Sequence, residues 1–138
     1  MADNIDTASQ LSENVRQSSY SVALVNGLVL RVRKSVNHYF GGYYYVNVLI
    51  NCDVPLETSF FESENEYVEF SERLGNSVLF EMILDKMAVP EHDIYSVQNE
   101  LIEKFMATTF KYVSSPRFPR AFVRREADKL MKRSRPRV

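Results

Sequence analysis

Two glycine-bearing turns, Asn26-Gly27 and Gly41-Gly42, punctuate residues 20–52, and apolar and polar side chains alternate on either side of them. Successive side chains of a β-strand point to opposite faces, so this alternation is that of half-buried strands. An Asn-Gly step is the strongest short-range hairpin signal, because both central positions of a type I′ turn need positive φ. The pattern predicts strands over residues 20–25, 28–40 and 44–52. Leu28, Leu30, Val32, Val36, His38 and Phe40 share the even face of the second strand, and Tyr44, Val46, Val48, Ile50 and Cys52 share the even face of the third. A strict two-residue Gly41-Gly42 loop would pair Phe40 with Tyr43 and set even positions against odd. The apolar faces align only if the loop takes in Tyr43, pairing Phe40 with Tyr44, or if an equivalent bulge intervenes.

Helical signals follow the strands. Ser63-Glu64-Asn65-Glu66 fits a capping box, Tyr67, Phe70 and Leu74 recur at helical spacing, and Gly75 suits a C-cap. A second helix is expected over residues 78–88, with Leu79, Met82, Ile83 and Met87 buried before Pro90 ends it. Asp93 caps a longer one running to about Tyr112, with Val97, Leu101, Phe105, Thr108 and Tyr112 on one side. Pro119 suits a first helical position, and a last helix over residues 120–133 sets Val123, Ala127, Leu130 and Met131 opposite a basic side. Strands first and helices after read as an α+β fold: an antiparallel three-stranded β-meander over about residues 20–52, packed by three or four C-terminal helices. Residues 1–19 are expected to be a flexible segment with a weak helical stripe of Ile5, Ala8, Leu11 and Val15. Residues 20–113 form the α+β body, and residues 114–138 a basic helix and tail.

Charge divides the chain at that last boundary. Residues 114–138 carry nine basic side chains (Arg117, Arg120, Arg124, Arg125, Lys129, Lys132, Arg133, Arg135 and Arg137) and two acidic ones, Glu126 and Asp128. The chain's totals are 17 basic and 18 acidic residues, so the remainder holds eight basic and sixteen acidic side chains. A basic arm on an acidic body points to a polyanion or an acidic partner. Arg outnumbers Lys seven to two in the arm, which favours forked contacts to phosphate over a plain point charge. Lys132-Arg133-Ser134-Arg135 also resembles a short basic nuclear-import signal. The arm is thus expected to bind nucleic acid, RNA before DNA. Two other readings compete: an oligomeric, matrix-like adaptor whose arm meets anionic lipid or an acidic protein, and a solvated helix face that complements the body's own acids.

A second candidate surface is the odd face of the sheet. The expected register gathers Arg31, Arg33, Asn37, Tyr39, Tyr45, Asn47 and Asn51 there, with Tyr20 opposite Arg33 across the first hairpin. Aromatic and Arg side chains on an open sheet can stack on unpaired bases. The plainer reading is a half-exposed sheet that uses Tyr for its β-propensity.

Signals for chemistry are weak. His38 falls among apolar neighbours and reads as a core histidine, His92 sits in a linker, and Cys52 reads as a small buried thiol. No glycine loop for phosphate and no nucleophile elbow occurs, so the chain is expected not to be an enzyme. With one cysteine in 138 residues there is no internal disulfide, and no Cys or His spacing matches a zinc or iron-sulfur pattern. No cofactor or metal is expected. Residues 1–10 lack the features of a secretory signal, and no apolar run reaches the roughly 18 residues of a membrane span. An intracellular protein, cytoplasmic or nuclear, is the expectation.

Overall fold

Alternation over residues 20–52 resolves into three strands, and a fourth strand joins them from a stretch that reads as helix. The computed structural model describes residues 17–134; the stripe from Ile5 to Val15 and the cations Arg135 and Arg137 lie outside the described residues. One antiparallel sheet runs in the order β1 (Gln17–Ala23), β2 (Val29–Phe40), β3 (Tyr43–Pro55) and β4 (Ser77–Pro90). A 3-10 turn at Thr58–Phe60 and helix α1 (Glu64–Leu74) connect β3 to β4. A second such turn, Glu91–Asp93, leads from β4 into α2 (Ile94–Thr108), α3 (Phe110–Val113) and α4 (Phe118–Ser134). The fold is α+β, with four strands where three are expected.

Residues 78–88 account for that difference. Their apolar residues satisfy two periods at once: Leu79, Met82, Ile83 and Met87 at helical spacing, and Val78, Phe80, Met82 and Leu84 in alternation. The tertiary setting selects the second. Strand β3 buries Val46, Val48, Ile50, Cys52 and Val54 completely, and its backbone groups facing away from β2 need partners of their own. β4 supplies them, pairing Val54 with Val78 and Val48 with Leu84. Leu79, Ile83 and Met87, expected to be buried, therefore stand on the outer face, each at least half exposed. A bulge between Tyr44 and Val46 bends the far end of β4, where Ala88 adopts a positive φ of 57°.

The first hairpin differs from expectation, and the second takes the bulged form of the two expected. The first is a three-residue loop, Val25 to Gly27, rather than a two-residue type I′ turn. The Leu24 amide donates to the Leu28 carbonyl at 2.8 Å, and the Gly27 amide donates to the Leu24 carbonyl at 3.0 Å. Gly27 alone takes a positive φ, 90°, within this loop. The extra residue moves Tyr20 opposite Val32 instead of Arg33, and so onto the even face, where the Lys34 ammonium lies 5.8 Å from its ring centroid. In the second hairpin Phe40 does pair with Tyr43 across Gly41-Gly42, but Tyr39 bulges and restores the parity, so that Val36 faces Val46 and Val32 faces Ile50. The apolar faces align by the bulge, and the longer loop is not formed. His38 and Phe40 fall at the exposed tip, outside the core.

Every helix packs on the even face. Gly75, at φ 83°, ends α1, and Ser63 caps it by accepting the Glu66 amide at 3.1 Å. The long helix expected to reach Tyr112 breaks at Thr109, leaving Tyr112 exposed and Val113 fully buried. α4 sends Phe118, Phe122, Val123 and Ala127 into the same cluster as Leu30, Ile50 and Phe105. Met131, expected beside them, is 44% exposed. Replacing Phe118 by Ala should cost about 3–5 kcal/mol in urea unfolding, while Met131→Ala should stay within about 0.5 kcal/mol. Equal effects at the two positions would contradict this packing of α4.

Candidate functional site

The apolar side of α4 fixes where its cations go. Phe118, Phe122, Val123 and Ala127 are seated on the sheet, while Arg117, Arg120, Arg125, Lys129, Lys132 and Arg133 are exposed; Arg125, Lys129 and Arg133 continue the stripe of Phe122 toward the C-terminal end of the helix, at i+3, i+7 and i+11. The start of the helix is held from a distance in sequence. Asn26, in the first hairpin loop, donates both hydrogens of its side-chain amide, to the Val113 carbonyl at 2.8 Å and the Ser115 carbonyl at 2.9 Å. Its Oδ1 accepts the Leu28 amide at 3.2 Å. One carboxamide thus ties the β1–β2 loop to the turn that launches α4.

Helical spacing sorts the described cations into two stripes. Arg117, Arg120 and Arg124 follow one another at i, i+3 and i+7, and Arg125, Lys129, Lys132 and Arg133 at i, i+4, i+7 and i+8. The first stripe lines an open groove of about 600 Å³ whose other walls are Ser59, Phe60, Pro116 and Ala121. The groove lies between the 3-10 turn after β3 and the first turns of α4. Arg124 is its structural member: Nη1 donates to Glu66 Oε1 at 2.7 Å, and the guanidinium carbon sits 5.9 Å from the Phe61 ring centroid. Both side chains of that ion pair are partly shielded from water, so it contributes on the order of 1 kcal/mol to docking α4 against α1. Lys129 pairs with Glu126 at 3.1 Å within the helix. Arg117, Arg120, Arg125, Lys132 and Arg133 have no ion-pair partner among the described residues.

On the sheet, Arg31, Arg33, Asn37, Tyr45, Asn47 and Asn51 share the uncovered face, without Tyr20, but they do not converge. Arg31 donates from Nε to Asn51 Oδ1 at 2.7 Å and from Nη1 to Asp53 Oδ2 at 2.8 Å. The same contact with Asp53 raises the Arg31 pKa. The Tyr45 hydroxyl donates to Asp85 Oδ2 at 2.7 Å, which raises the pKa of the phenol. Arg33 faces Leu49, and Asn37 faces Tyr45. From Arg31 to Asn37 along β2 is about 20 Å at the rise of a strand, so the arginines and the tyrosines occupy opposite ends. Tyr39 sits in the bulge, half exposed. Asp53, Glu81 and Asp85 outnumber the two arginines on this face, and Val29, Leu79, Ile83 and Met87 add exposed apolar area between them.

The remaining reactive residues are separate from one another. His38 is at the hairpin tip, where Nε2 donates to the Gly41 carbonyl at 2.6 Å and the ring meets Tyr44 edge-on. It is exposed, not the core histidine expected, because the Tyr39 bulge and the glycine turn carry this end of the hairpin beyond the helices. His92 is exposed beside Asp93, 3.5 Å away. Cys52 is fully buried among apolar side chains, and that burial pushes its thiol up to about 11. Among the described residues no three His, Cys, Asp or Glu side chains come together in a way that could hold a metal ion, and no helix is long and apolar enough to cross a membrane.

Ser59, Phe60, Pro116 and Ala121 carry no signal of a site in the sequence; they line the groove because the 3-10 turn after β3 is folded against α4. Glu66 announces itself only as a capping residue. No family model, curated protein or solved structure matches this chain.

The buried thiol yields a pH effect with a definite sign. Between pH about 9 and about 11 the unfolded chain ionises Cys52 while the folded one does not, so the thiol makes stability fall as pH rises through that window. Cys52→Ala should remove that part of the slope in urea titrations. An unchanged slope in the variant would contradict the burial of Cys52.

Proposed function

We propose that this protein is a non-enzymatic nucleic-acid-binding protein that takes single-stranded RNA along the exposed side of α4. What carries the reading is the pair of basic stripes on a helix whose apolar side is committed to the core. Rigid docking holds the cations in fixed register, so binding does not have to order the helix first. Five described cations without internal partners give a strip that a phosphate backbone can follow. Beside them the groove offers Pro116, Ala121 and the small exposed part of the otherwise buried Phe60, an apolar surface suited to an unpaired base more than to a duplex.

The sheet face plays little part in this reading. Arg31 and Tyr45 already satisfy carboxylates of the same face, and the surplus of acid there repels a polyanion. Cys52 is too deeply buried, and too far above its usual pKa, to serve as a nucleophile, which favours binding over catalysis.

Fluorescence anisotropy with a labelled single-stranded RNA tests the proposal. Five phosphate contacts predict that log K falls against log salt with a slope of about −3 to −4. Changing Arg125 and Lys132 together to Gln should flatten that slope by about 1.4, while Arg31→Gln with Tyr45→Phe should leave it unchanged. Absence of binding in the micromolar range at low salt would overturn the proposal, and flotation with anionic vesicles in its place would give α4 to a membrane surface.

A further inference from the structure

The groove at the start of α4 differs from the rest of the basic strip in both charge and shape, and the difference selects a particular phosphate. Arg117, Arg120 and Arg124 line it together, and Glu66 offsets one of the three. Two positive charges remain in one groove, whereas the second stripe spreads its charges along more than two turns of helix. An internal phosphodiester brings one negative charge to such a place. A phosphate monoester brings roughly −1.5 to −2 at pH 7, with three acceptor oxygens for forked guanidinium contacts. The first turn of α4 adds the partial positive charge of a helix start on the same side. Beyond the guanidinium groups the lining is mainly apolar, from Phe60, Pro116 and Ala121, and about 600 Å³ lies within the range that holds small ligands of nucleotide size.

We propose that this groove seats the terminal phosphate of an RNA strand, with Arg117 and Arg120 as its principal ligands and the terminal base against Phe60 and Pro116. The inference rests on the reading of α4 as an RNA surface and says which part of the RNA the groove takes. Arg124 has a double role: it stays on Glu66 to hold α4 in place and presents its remaining N–H groups to the phosphate. The strand then leaves the groove along Arg125, Lys132 and Arg133.

The test compares three RNAs of one sequence, carrying a 5′-phosphate, a 3′-phosphate or neither, titrated into the full-length protein. One of the phosphorylated strands should bind at least about tenfold more tightly than the unmodified one, the size expected of a single charge-assisted contact. Replacing Arg117 and Arg120 by Gln should erase that preference, bringing all three RNAs to one common affinity below that of the unmodified strand on the unaltered protein, because both cations also belong to the general strip. Both side chains are exposed, so an unchanged urea midpoint will show that the variant is folded. Arg125→Gln should weaken all three RNAs alike and preserve the preference. Equal affinities for the three RNAs would overturn the inference and leave the polyanion reading standing, and failure of every RNA to bind would overturn both. A phosphoserine peptide that displaces the phosphorylated strand at equal concentration would overturn the assignment to RNA and give the groove to a phosphorylated protein.

Discussion

Phe118 and Phe122 stack on each other at 5.4 Å, and Phe80 of β4 meets both edge-on, at 5.5 and 5.7 Å. This triplet joins the last helix to the strand at the far edge of the sheet. An antiparallel sheet with one apolar face must be covered, and here α2 and α4 provide the cover. Once Phe118 and Phe122 are seated, α4 has a single rotational setting. In that setting Arg117 and Arg120 lie away from the phenylalanines, and Arg125, Lys129, Lys132 and Arg133 are exposed further along the helix. The acidic helix α1 lies close enough for Glu66 to reach Arg124, so attraction between body and arm stabilises the same pose. Packing and charge agree, and the surplus of positive charge faces solvent.

Much of this architecture was legible. Alternation over residues 20–52 identified the buried set from Leu28 to Val36 and from Val46 to Cys52, because a sheet with one covered face leaves a period of two in the sequence. Ser63, Gly75 and Pro119 marked helix ends through local chemistry alone. β4 was not legible as a strand: with apolar residues on both of its faces, its periodicity is ambiguous, and the need of β3 for a second partner settles the matter only in three dimensions. In the sequence Asn26 signals only a turn, yet its side chain reaches carbonyls 87 and 89 residues further along the chain.

The candidate surfaces were legible as sets of residues but not as electrostatics. A cation's value to a ligand depends on whether the fold already satisfies it, and the satisfying groups lie far off in sequence. Asp53 is 22 residues from Arg31, Asp85 is 40 from Tyr45, and Glu66 is 58 from Arg124. Without those separations in view the arginines of the sheet and of the helix look alike. With them, Arg31 and Tyr45 of the sheet face are each engaged by a carboxylate of that face, while α4 keeps most of its charge available. The groove was equally hidden, since its non-basic walls come from a 3-10 turn and a proline turn that only the docked helix brings together.

On the proposed reading, ligands meet this protein at α4 and the adjoining groove, not on the open sheet. An isotope-edited NMR titration of the labelled protein with unlabelled single-stranded RNA tests it directly. Amide shifts should concentrate at Ser59, Phe60 and residues 117–133, with the outer face of the sheet unmoved. Shifts confined to Arg33, Asn47, Leu49 and Ile83, with α4 silent, would contradict it.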